Sequence, residues 1–520
     1  MKRNIAQLAL GVLGLAAGMA LLSGFGLALD LFRAGYPLAH LALLSPAEAR
    51  QLNVVLARNY SQLLAVTFTT VAIAVPLTAN MYSLKFLEFF IKDIINAAVL
   101  TLMVFGGLNN ALLTYALKDD FVPTIQLHFS LVLVIVCSAL LFPYLYYIFR
   151  FLHPRTLLDR LQDEIEGALR AARRHPKQAA HYHHAVAEGI EHIVNIAVRS
   201  VDRVDRNTAI ESIHTLEKVA HFYWSIKPEL PECWFTAEPN LFLGFSSKAV
   251  AELAASRTWV EMKLFSQMRQ VLSSAIPRMH DVVNTLGRVL RHLGLTEAVH
   301  DDPALRELVV EYFNTFVRRA IVAKDVRSVF SLFEQYRTYA ELQVTAFPEM
   351  VLEIAYYFQY YGQLARDNGQ DFIVEVVAHD LASLVQHAWE SRAACRQKLL
   401  DRLMLFDTHV AKPLAGVKKA QAQLASYFLL AGDTEAAELI RATFSRLDPG
   451  FVGGLADDLL HVRREKYWEV NERRVNMDYV PDAQRVKLYE FFESLGVHLD
   501  LTMLHLSQPV LAVRPPAPCG

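Results

Sequence analysis

The chain has 520 residues, of which 53% are hydrophobic and 20% are charged, and its formal net charge is −2. The charges are unevenly distributed: residues 1–150 carry 15 and the remaining 370 residues carry 89. The first block therefore has the composition of lipid-embedded chain, and the second that of an ordinary soluble domain. The near-neutral balance argues against a polyanion-binding protein. The four scattered cysteines form no CxxC pair, which argues against a disulfide framework or a zinc site.

Four apolar segments predict an all-α transmembrane domain over residues 1–150. The first segment, residues 5–32, predicts a retained membrane anchor. A signal peptide is the alternative, but the run is much longer than the ~7–15 residues of a signal-peptide core. Within it, Gly14 and Gly18 form a GxxxG pattern, which suits close packing of helices in lipid.

The second helix is predicted over residues 46–81. Its start is marked by Ser45-Pro46-Ala47-Glu48, a capping box with proline at the first helical position. At 1.5 Å per residue this helix would be about 54 Å long, so its first turns should project beyond the ~30 Å hydrocarbon core. The third and fourth helices are predicted over residues 94–117 and 125–150, and a short charged amphipathic segment precedes the third.

Polar side chains recur on single faces of the second and third predicted helices. Asn and Thr are costly in lipid unless they face protein or water, so these faces either line a polar path or hold helices together. The spans contain no charged residue near their centres, which argues against a proton-coupled pump. The candidates for either role are Thr67, Thr70, Thr78, Asn96, Asn110 and Thr114.

The distribution of Lys and Arg predicts that both termini and the large domain lie in the cytoplasm. With the N-terminus inside, seven basic residues flank the inner side of the membrane and four flank the outer side. The inner set is Lys2, Arg3, Lys85, Lys92, Arg150, Arg155 and Arg160, and the outer set is Arg33, Arg50, Arg58 and Lys118.

Beyond residue 150 the pattern predicts one helix after another. We divide it into a membrane-proximal helical region (151–225), a loop or hairpin (226–246), a cytoplasmic helical domain (247–510) and a disordered tail (511–520). Residues 421–450 resemble a tetratricopeptide-like helix–turn–helix unit that stops at Pro449, but no regular 34-residue period is present. The domain is thus predicted to be all-α, with stacked helical pairs as one possible arrangement.

Two groups of residues in this region are candidate binding sites. The first follows one helix face at i, i+4 and i+8, but the HExxH order is absent, so we predict no metal and no cofactor. The second mixes aromatic and basic side chains and could dock a partner protein. Nearby acidic residues cancel its charge, so nucleic acid is not an expected partner. The weak metal candidates are His184, Glu188 and His192, and the docking candidates are Trp468, Arg473, Arg474 and Tyr479.

Three stretches carry a family resemblance: Tyr82-Ser83-Leu84-Lys85-Phe86-Leu87 followed by Phe90 and Lys92-Asp93; Ala197-Val198-Arg199-Ser200 with Asp205-Arg206-Asn207-Thr208-Ala209; and Phe265-Ser266-Gln267-Met268-Arg269. They resemble an uncharacterised family of predicted bacterial integral membrane proteins, over about residues 60–290. In the second stretch the proline of the family's turn is absent and the order differs. The resemblance implies a bacterial inner-membrane protein and no particular activity.

Three functions compete on the sequence alone. The first is a homo-oligomeric channel or pore-like protein, whose lumen the polar membrane faces would line. The second is a membrane-anchored scaffold or sensor, whose large helical domain binds a cytoplasmic protein partner. The third is an enzyme, which we disfavour because the chain shows no nucleophile elbow, phosphate loop or metal signature.

Overall fold

A computed structural model describes residues 44–83, 85–120, 122–236, 238–242, 244–406, 413–466, 473 and 475–499. Within these residues the chain forms twenty α-helices and no β-strand. The all-α prediction is confirmed for this part of the chain. The molecule divides into two compact units, Met1–Ile165 and Glu166–Gly520.

Among its described residues, from 44 onwards, the first unit contains four complete helices and the start of a fifth. They are α1 (Pro46–Met81), α2 (Lys85–Lys92), α3 (Ile94–Ala116), α4 (Thr124–Phe151) and α5 (Pro154–Arg174). Helices α1, α3 and α4 are long and apolar enough to cross a membrane. The predicted first span, with Gly14 and Gly18, lies outside the described residues, so a fourth span remains a prediction.

Local side-chain contacts explain where these helices begin. Ser45 Oγ accepts a hydrogen bond from the Glu48 amide at 3.3 Å, and Glu48 Oε2 accepts one from the Ser45 amide at 2.8 Å, which completes the predicted capping box. Asp93 Oδ1 accepts from the Ile95 and Asn96 amides at 3.1 and 3.2 Å and so caps α3. Each cap satisfies backbone donors that the first helical turn leaves free.

Polar pairs connect the three long helices. Asn53 Nδ2 on α1 donates to Thr114 Oγ1 on α3 at 2.7 Å. Asn109 Nδ2 on α3 donates to Ser130 Oγ on α4 at 2.6 Å, and both of these side chains are buried. Such bonds fix the register of neighbouring helices in an apolar medium.

A close approach of α1 and α3 occurs at Gly106. A Cβ atom at this position would overlap the ring of Tyr60, which is only 2% exposed and whose hydroxyl lies 4.0 Å from Cys137 Sγ. The absence of a side chain at Gly106 therefore sets the spacing of the two helices.

We predict that Gly106→Ala destabilises the first unit by about 1–3 kcal/mol, because the added methyl group must displace a buried ring. Thermal unfolding of the purified protein in detergent measures this effect. Gly167→Ala is the matched control: no atom lies within 4 Å of its Cβ position, and alanine is favoured over glycine inside a helix by about 0.5–1 kcal/mol. Equal stability of the two variants would contradict this account of Gly106.

In the described part of the second unit, five consecutive pairs of helices, which we call hairpins, form two layers. Each hairpin places one helix in each layer, and each helix packs against its counterparts in the neighbouring hairpins. The first layer contains α6 (His183–Asp202), α9 (Trp259–Ala275), α12 (Pro303–Val322), α14 (Pro348–Asp367) and α16 (Arg396–Met404). The second layer contains α7 (Arg206–Ile226), α10 (His280–Gly294), α13 (Val326–Gln343), α15 (Asp371–Glu390) and α17 (Ala415–Ala431).

Four consecutive hairpins begin at residues 259, 303, 348 and 396, so the structural repeat is 44–48 residues long. This repeat is longer than the 34 residues of a tetratricopeptide unit. Stacking of this kind gives a solenoid, in which each hairpin buries its apolar faces against its neighbours. Phe313 on α12 and Tyr336 on α13 show the packing between layers: their rings stack with centroids 4.6 Å apart.

Shorter elements complete the second unit. Helices α8 (Ser247–Ala255) and α11 (Glu297–Asp301) connect hairpins, while α18 (Thr434–Phe444), α19 (Pro449–His461) and α20 (Asp482–Ser494) follow α17. The predicted unit over 421–450 does turn at Gly432, whose φ is +81°. Its predicted end is wrong: α18 ends at Phe444, and Pro449 begins the next helix, where its missing N–H costs nothing.

The segment predicted as a loop contains three short 3₁₀ turns, Lys227–Glu229, Glu232–Phe235 and Pro239–Leu241. It contributes a fully buried tryptophan, Trp234, whose ring centroid lies 5.2 Å from that of Trp259 and 4.7 Å from that of His183. Burial lowers the pKa of His183. The segment is thus part of the core of the first two hairpins.

Candidate functional site

The polar membrane residues singled out in the sequence lie mainly inside the helix bundle. Thr67, Thr78, Asn96 and Asn110 are buried, and Thr70 Oγ1 donates to the carbonyl of Val66 on its own helix at 2.8 Å.

Two of these residues make further local hydrogen bonds. Asn110 Nδ2 donates to the Gly106 carbonyl at 3.2 Å, and Thr114 Oγ1 donates to the Asn110 carbonyl at 2.8 Å while accepting from Asn53. The contacts within the described bundle are those of helix packing. Asn53, Asn109 and Ser130 belong to the same polar set, although the spacing pattern did not select them.

The histidine-rich face of α6 does not bring three ligands together. His184 Nδ1 lies 3.5 Å from Glu188 Oε1, and both side chains are more than half exposed. Among the described residues, no group of three or more His, Cys, Asp or Glu side chains is placed to hold a metal ion.

The docking candidates near residue 470 lie in different settings. Trp468 and Arg474 are outside the described residues. The side chain of Arg473 is only 7% exposed. Tyr479 is half-buried, and the guanidinium carbon of Arg485 lies 5.9 Å from the centroid of its ring. Arg473 is therefore not on a free docking surface. It belongs to a buried ion-pair network.

The centre of the network is Asp380 on α15. Arg473 Nη1 lies 2.5 Å from Asp380 Oδ1, and Arg473 Nη2 lies 2.9 Å from Asp380 Oδ2. Arg337 Nε on α13 lies 3.3 Å from the same carboxylate. Asp380 is 2% exposed, so two guanidinium groups compensate one buried negative charge.

Further polar contacts join neighbouring helices of the second layer. Arg337 Nη1 pairs with Glu341 Oε1 at 2.6 Å, and Ser383 Oγ on α15 donates to the same Glu341 oxygen at 2.8 Å. Closer to the start of the solenoid, Ser331 Oγ on α13 donates to Asn284 Oδ1 on α10 at 3.1 Å. These polar contacts, made by buried and partly buried side chains, run from α10 to α15 along the second layer, and we call this series the polar face.

A segment near the C-terminus lies across this polar face. We use the name strap for Arg473 together with residues 475–481. The carbonyl of Met477 accepts a hydrogen bond from Gln423 Nε2 on α17 at 2.9 Å, and Asp478 Oδ2 lies 3.1 Å from Lys419 Nζ. Burial alone would lower the pKa of Lys419, but Asp458 and Asp478 raise it overall.

Between the strap and helices α13, α15 and α17 lies a cavity of about 350 Å³. Its walls include Glu334, Arg337, Gln386, Asn476 and Gln484. Burial raises the pKa of Glu334, while Arg473 and Arg337 act in the opposite direction. The arrangement is a mixed-charge groove that can hold peptide-like groups by ion pairs and amide hydrogen bonds.

Comparison with known proteins supports the family assignment. Residues 5–189 match the family described as Predicted membrane protein (DUF2254). The resemblance to a membrane protein family of unknown function is confirmed. The match starts and ends earlier than residues 60–290, so the similar stretches at Ala197–Ala209 and Phe265–Arg269 lie outside it.

No curated protein matches the chain. A solved structure that does match is described as a circular tandem repeat protein with novel repeat topology and enhanced subunit contact surfaces. It has 14% sequence identity and a TM-score of 0.31, and the alignment covers 87% of this chain and 96% of that one. A similarity at this level carries no argument about fold or function.

We predict that Asp380→Ala lowers the free energy of unfolding by about 3–5 kcal/mol, because it leaves the buried guanidinium of Arg473 without its counter-charge and Arg337 with Glu341 alone. Denaturant unfolding of the full chain in detergent measures this loss. Asp401→Ala is the control, since Asp401 is exposed and its bond with Gln397 lies on the surface; a change within about 0.5 kcal/mol is expected there. Similar losses for both variants would contradict the role assigned to Asp380.

His379, which lines the groove beside the strap, predicts a pH dependence. Burial lowers its pKa from 6.5, so the native state binds its proton less readily than the unfolded chain does. Stability from this group is therefore present above pH 6.5 and is lost as the pH falls below that value towards the lower native pKa. We expect His379→Gln to reduce the drop in melting temperature between about pH 7.5 and about pH 5. The same change at the exposed His184 should leave the drop as in the wild type, and an unaltered drop in His379→Gln would show this assignment to be wrong.

Proposed function

We propose that this protein is a membrane-anchored scaffold whose helical domain binds a partner protein through the polar face of its second layer. The observation that carries the proposal is the two-layer solenoid with the polar face along one layer. Solenoids of stacked helical pairs offer extended surfaces suited to protein recognition. The apolar helices α1, α3 and α4 would supply the anchor, and the Lys/Arg distribution supports a cytoplasmic position of the helical domain.

The chemistry of the polar face supports a protein ligand over a small substrate. Its groups are arginine, carboxylate and amide side chains spread over several helices, and its cavity is lined by residues of α13, α15 and α17 and of the strap. Peptide backbones and charged side chains are recognised by such dispersed hydrogen-bonding groups. The scaffold proposal therefore assigns no catalytic residue.

Site-directed photo-crosslinking in cells tests this proposal. A photoreactive amino acid replaces Arg288, an exposed residue of α10 in the second layer, or Gln270, an exposed residue of α9 in the first layer. We expect one discrete protein adduct from Arg288 that is absent from Gln270, and loss of that adduct when Glu334→Arg reverses a charge on the polar face. Equal labelling at both positions, or no adduct from either, would count against a partner on this face.

A channel is the second candidate, and a cleft in the first unit favours it. The cleft has a volume of about 560 Å³, lies between α1 and α3, and is lined by Tyr60, Asn110 and Thr114 among apolar side chains. The side-chain oxygens of Asn110 and Thr67 are buried and have no hydrogen-bond partner among the described residues. Unsatisfied buried acceptors of this kind can coordinate a permeating species in an assembled pore.

For the channel, we predict that Asn110→Leu combined with Thr70→Leu reduces solute or ion flux in proteoliposomes, because it removes polar groups from the helices that flank the cleft. Leu112→Val, a change at an exposed apolar residue of α3 that does not line the cleft, is the control. Flux that is the same in all three proteins, or absent from the wild type, removes the channel from consideration.

A further inference from the structure

The strap contacts the second layer at two places and turns at Met477 and Asp478, where the Tyr479 amide donates a hydrogen bond to the Asn476 carbonyl at 3.1 Å. At one end, Arg473 pairs with both carboxylate oxygens of Asp380, donates to the Phe330 carbonyl at 3.0 Å and places its guanidinium 4.3 Å from the Phe330 ring centroid. The contact combines an ion pair, a backbone hydrogen bond and a cation–π interaction on one side chain.

The other end of the strap is held by a second set of contacts. Gln423 recognises the backbone carbonyl of Met477, and Lys419 pairs with the carboxylate of Asp478. The imidazole Nε2 of His379 lies 3.7 Å from Asp478 Oδ1. The groove thus contacts the strap at three groups: an arginine, a backbone carbonyl, and a carboxylate five residues after the arginine.

The charged groups of the groove keep ion-pair partners of their own when the strap is absent. Phe330, Asp380 and Gln423 come from three different hairpins of the solenoid. Asp380 keeps Arg337 as a counter-ion when Arg473 is removed, and Lys419 keeps Asp458 at 2.9 Å when Asp478 is removed. Departure of the strap therefore leaves no buried charge of the groove unpaired.

We propose that this groove is a peptide-binding site and that the strap occupies it in place of the partner. The inference rests on the scaffold function proposed above and names the class of ligand. The ligand is a short protein segment with an arginine followed, five residues later, by an aspartate or glutamate. The tethered strap competes at high effective concentration, so a partner must displace it.

The test uses a fluorescently labelled peptide with the sequence RRVNMDYVP, which is that of residues 473–481. Fluorescence anisotropy measures its binding to the full-length protein in nanodiscs. We expect Arg473→Ala to bind at least about tenfold more tightly than the wild type, because it frees Asp380 for the peptide. Adding Asp380→Asn to that variant should weaken binding by at least about tenfold, since the acceptor for the peptide's arginine is lost.

Two controls keep the test decisive. Circular dichroism verifies that each variant remains helical, and Asp478→Asn weakens the strap at its other end by removing the ion pair with Lys419, so that the strap competes less strongly for the groove. Should Arg473→Ala destabilise the domain, Asp478→Asn alone is expected to increase binding. A peptide in which the first arginine, equivalent to Arg473, is replaced by alanine should not bind to any variant.

The proposal is overturned if neither release variant binds the peptide more tightly than the wild type, or if Asp380→Asn leaves the binding unchanged. The assay contains no cellular partner, so its failure is distinct from failure of the scaffold proposal. Adducts at Arg288 together with no peptide binding would retain the scaffold and reject the groove. Peptide binding without adducts would retain the groove and reject the broader polar face as the docking surface.

Discussion

The ion pair between Arg473 and Asp380 is the interaction that holds the strap on the solenoid, and the proposed control of the groove depends on it. It joins residues 93 positions apart and ties the strap to α15, with the Phe330 carbonyl of α13 as a further acceptor. A buried carboxylate is tolerated only when its charge and lone pairs are matched, and here two guanidinium groups share that role. The redundancy supplied by Arg337 is the property that makes the strap removable in principle.

The two units use polar side chains in different ways. In the first unit, amide and hydroxyl side chains form separate hydrogen-bonded pairs between helices, such as Asn53 with Thr114 and Asn109 with Ser130. Acceptors that remain without a partner in the described part of the bundle, such as Asn53 Oδ1 and Asn110 Oδ1, are buried inside it. In the second unit, the polar groups extend from helix to helix, and some of them, such as Glu334 and Arg337, line a cavity that can admit a ligand. This contrast is the reason that the helical domain, and not the membrane bundle, is our first choice for the functional surface.

Much of the fold follows from local sequence signals. The capping box at Ser45 and the length of the apolar run gave the bounds of α1 correctly, and the family resemblance was confirmed over residues 5–189. The layered pairing was less accessible, because hairpins of 44–48 residues vary in length and leave no fixed sequence period. The site was harder still: Arg473 was selected for its aromatic neighbours, whereas its role depends on Asp380, a contact over 93 residues that no local pattern contains. The Pro449 error has the same origin, since a proline can end one helix or begin the next.

Native mass spectrometry of the full-length protein in mild detergent would distinguish the proposed scaffold from a channel, because the two functions require different numbers of subunits. A scaffold needs only one anchored solenoid, whereas so few membrane helices per chain enclose an aqueous path only when several chains form a ring. For a scaffold, we expect the mass of a monomer or of a simple dimer of this chain. A closed ring of about four or more copies would contradict the scaffold proposal and would move the functional site to the polar residues of the membrane helices.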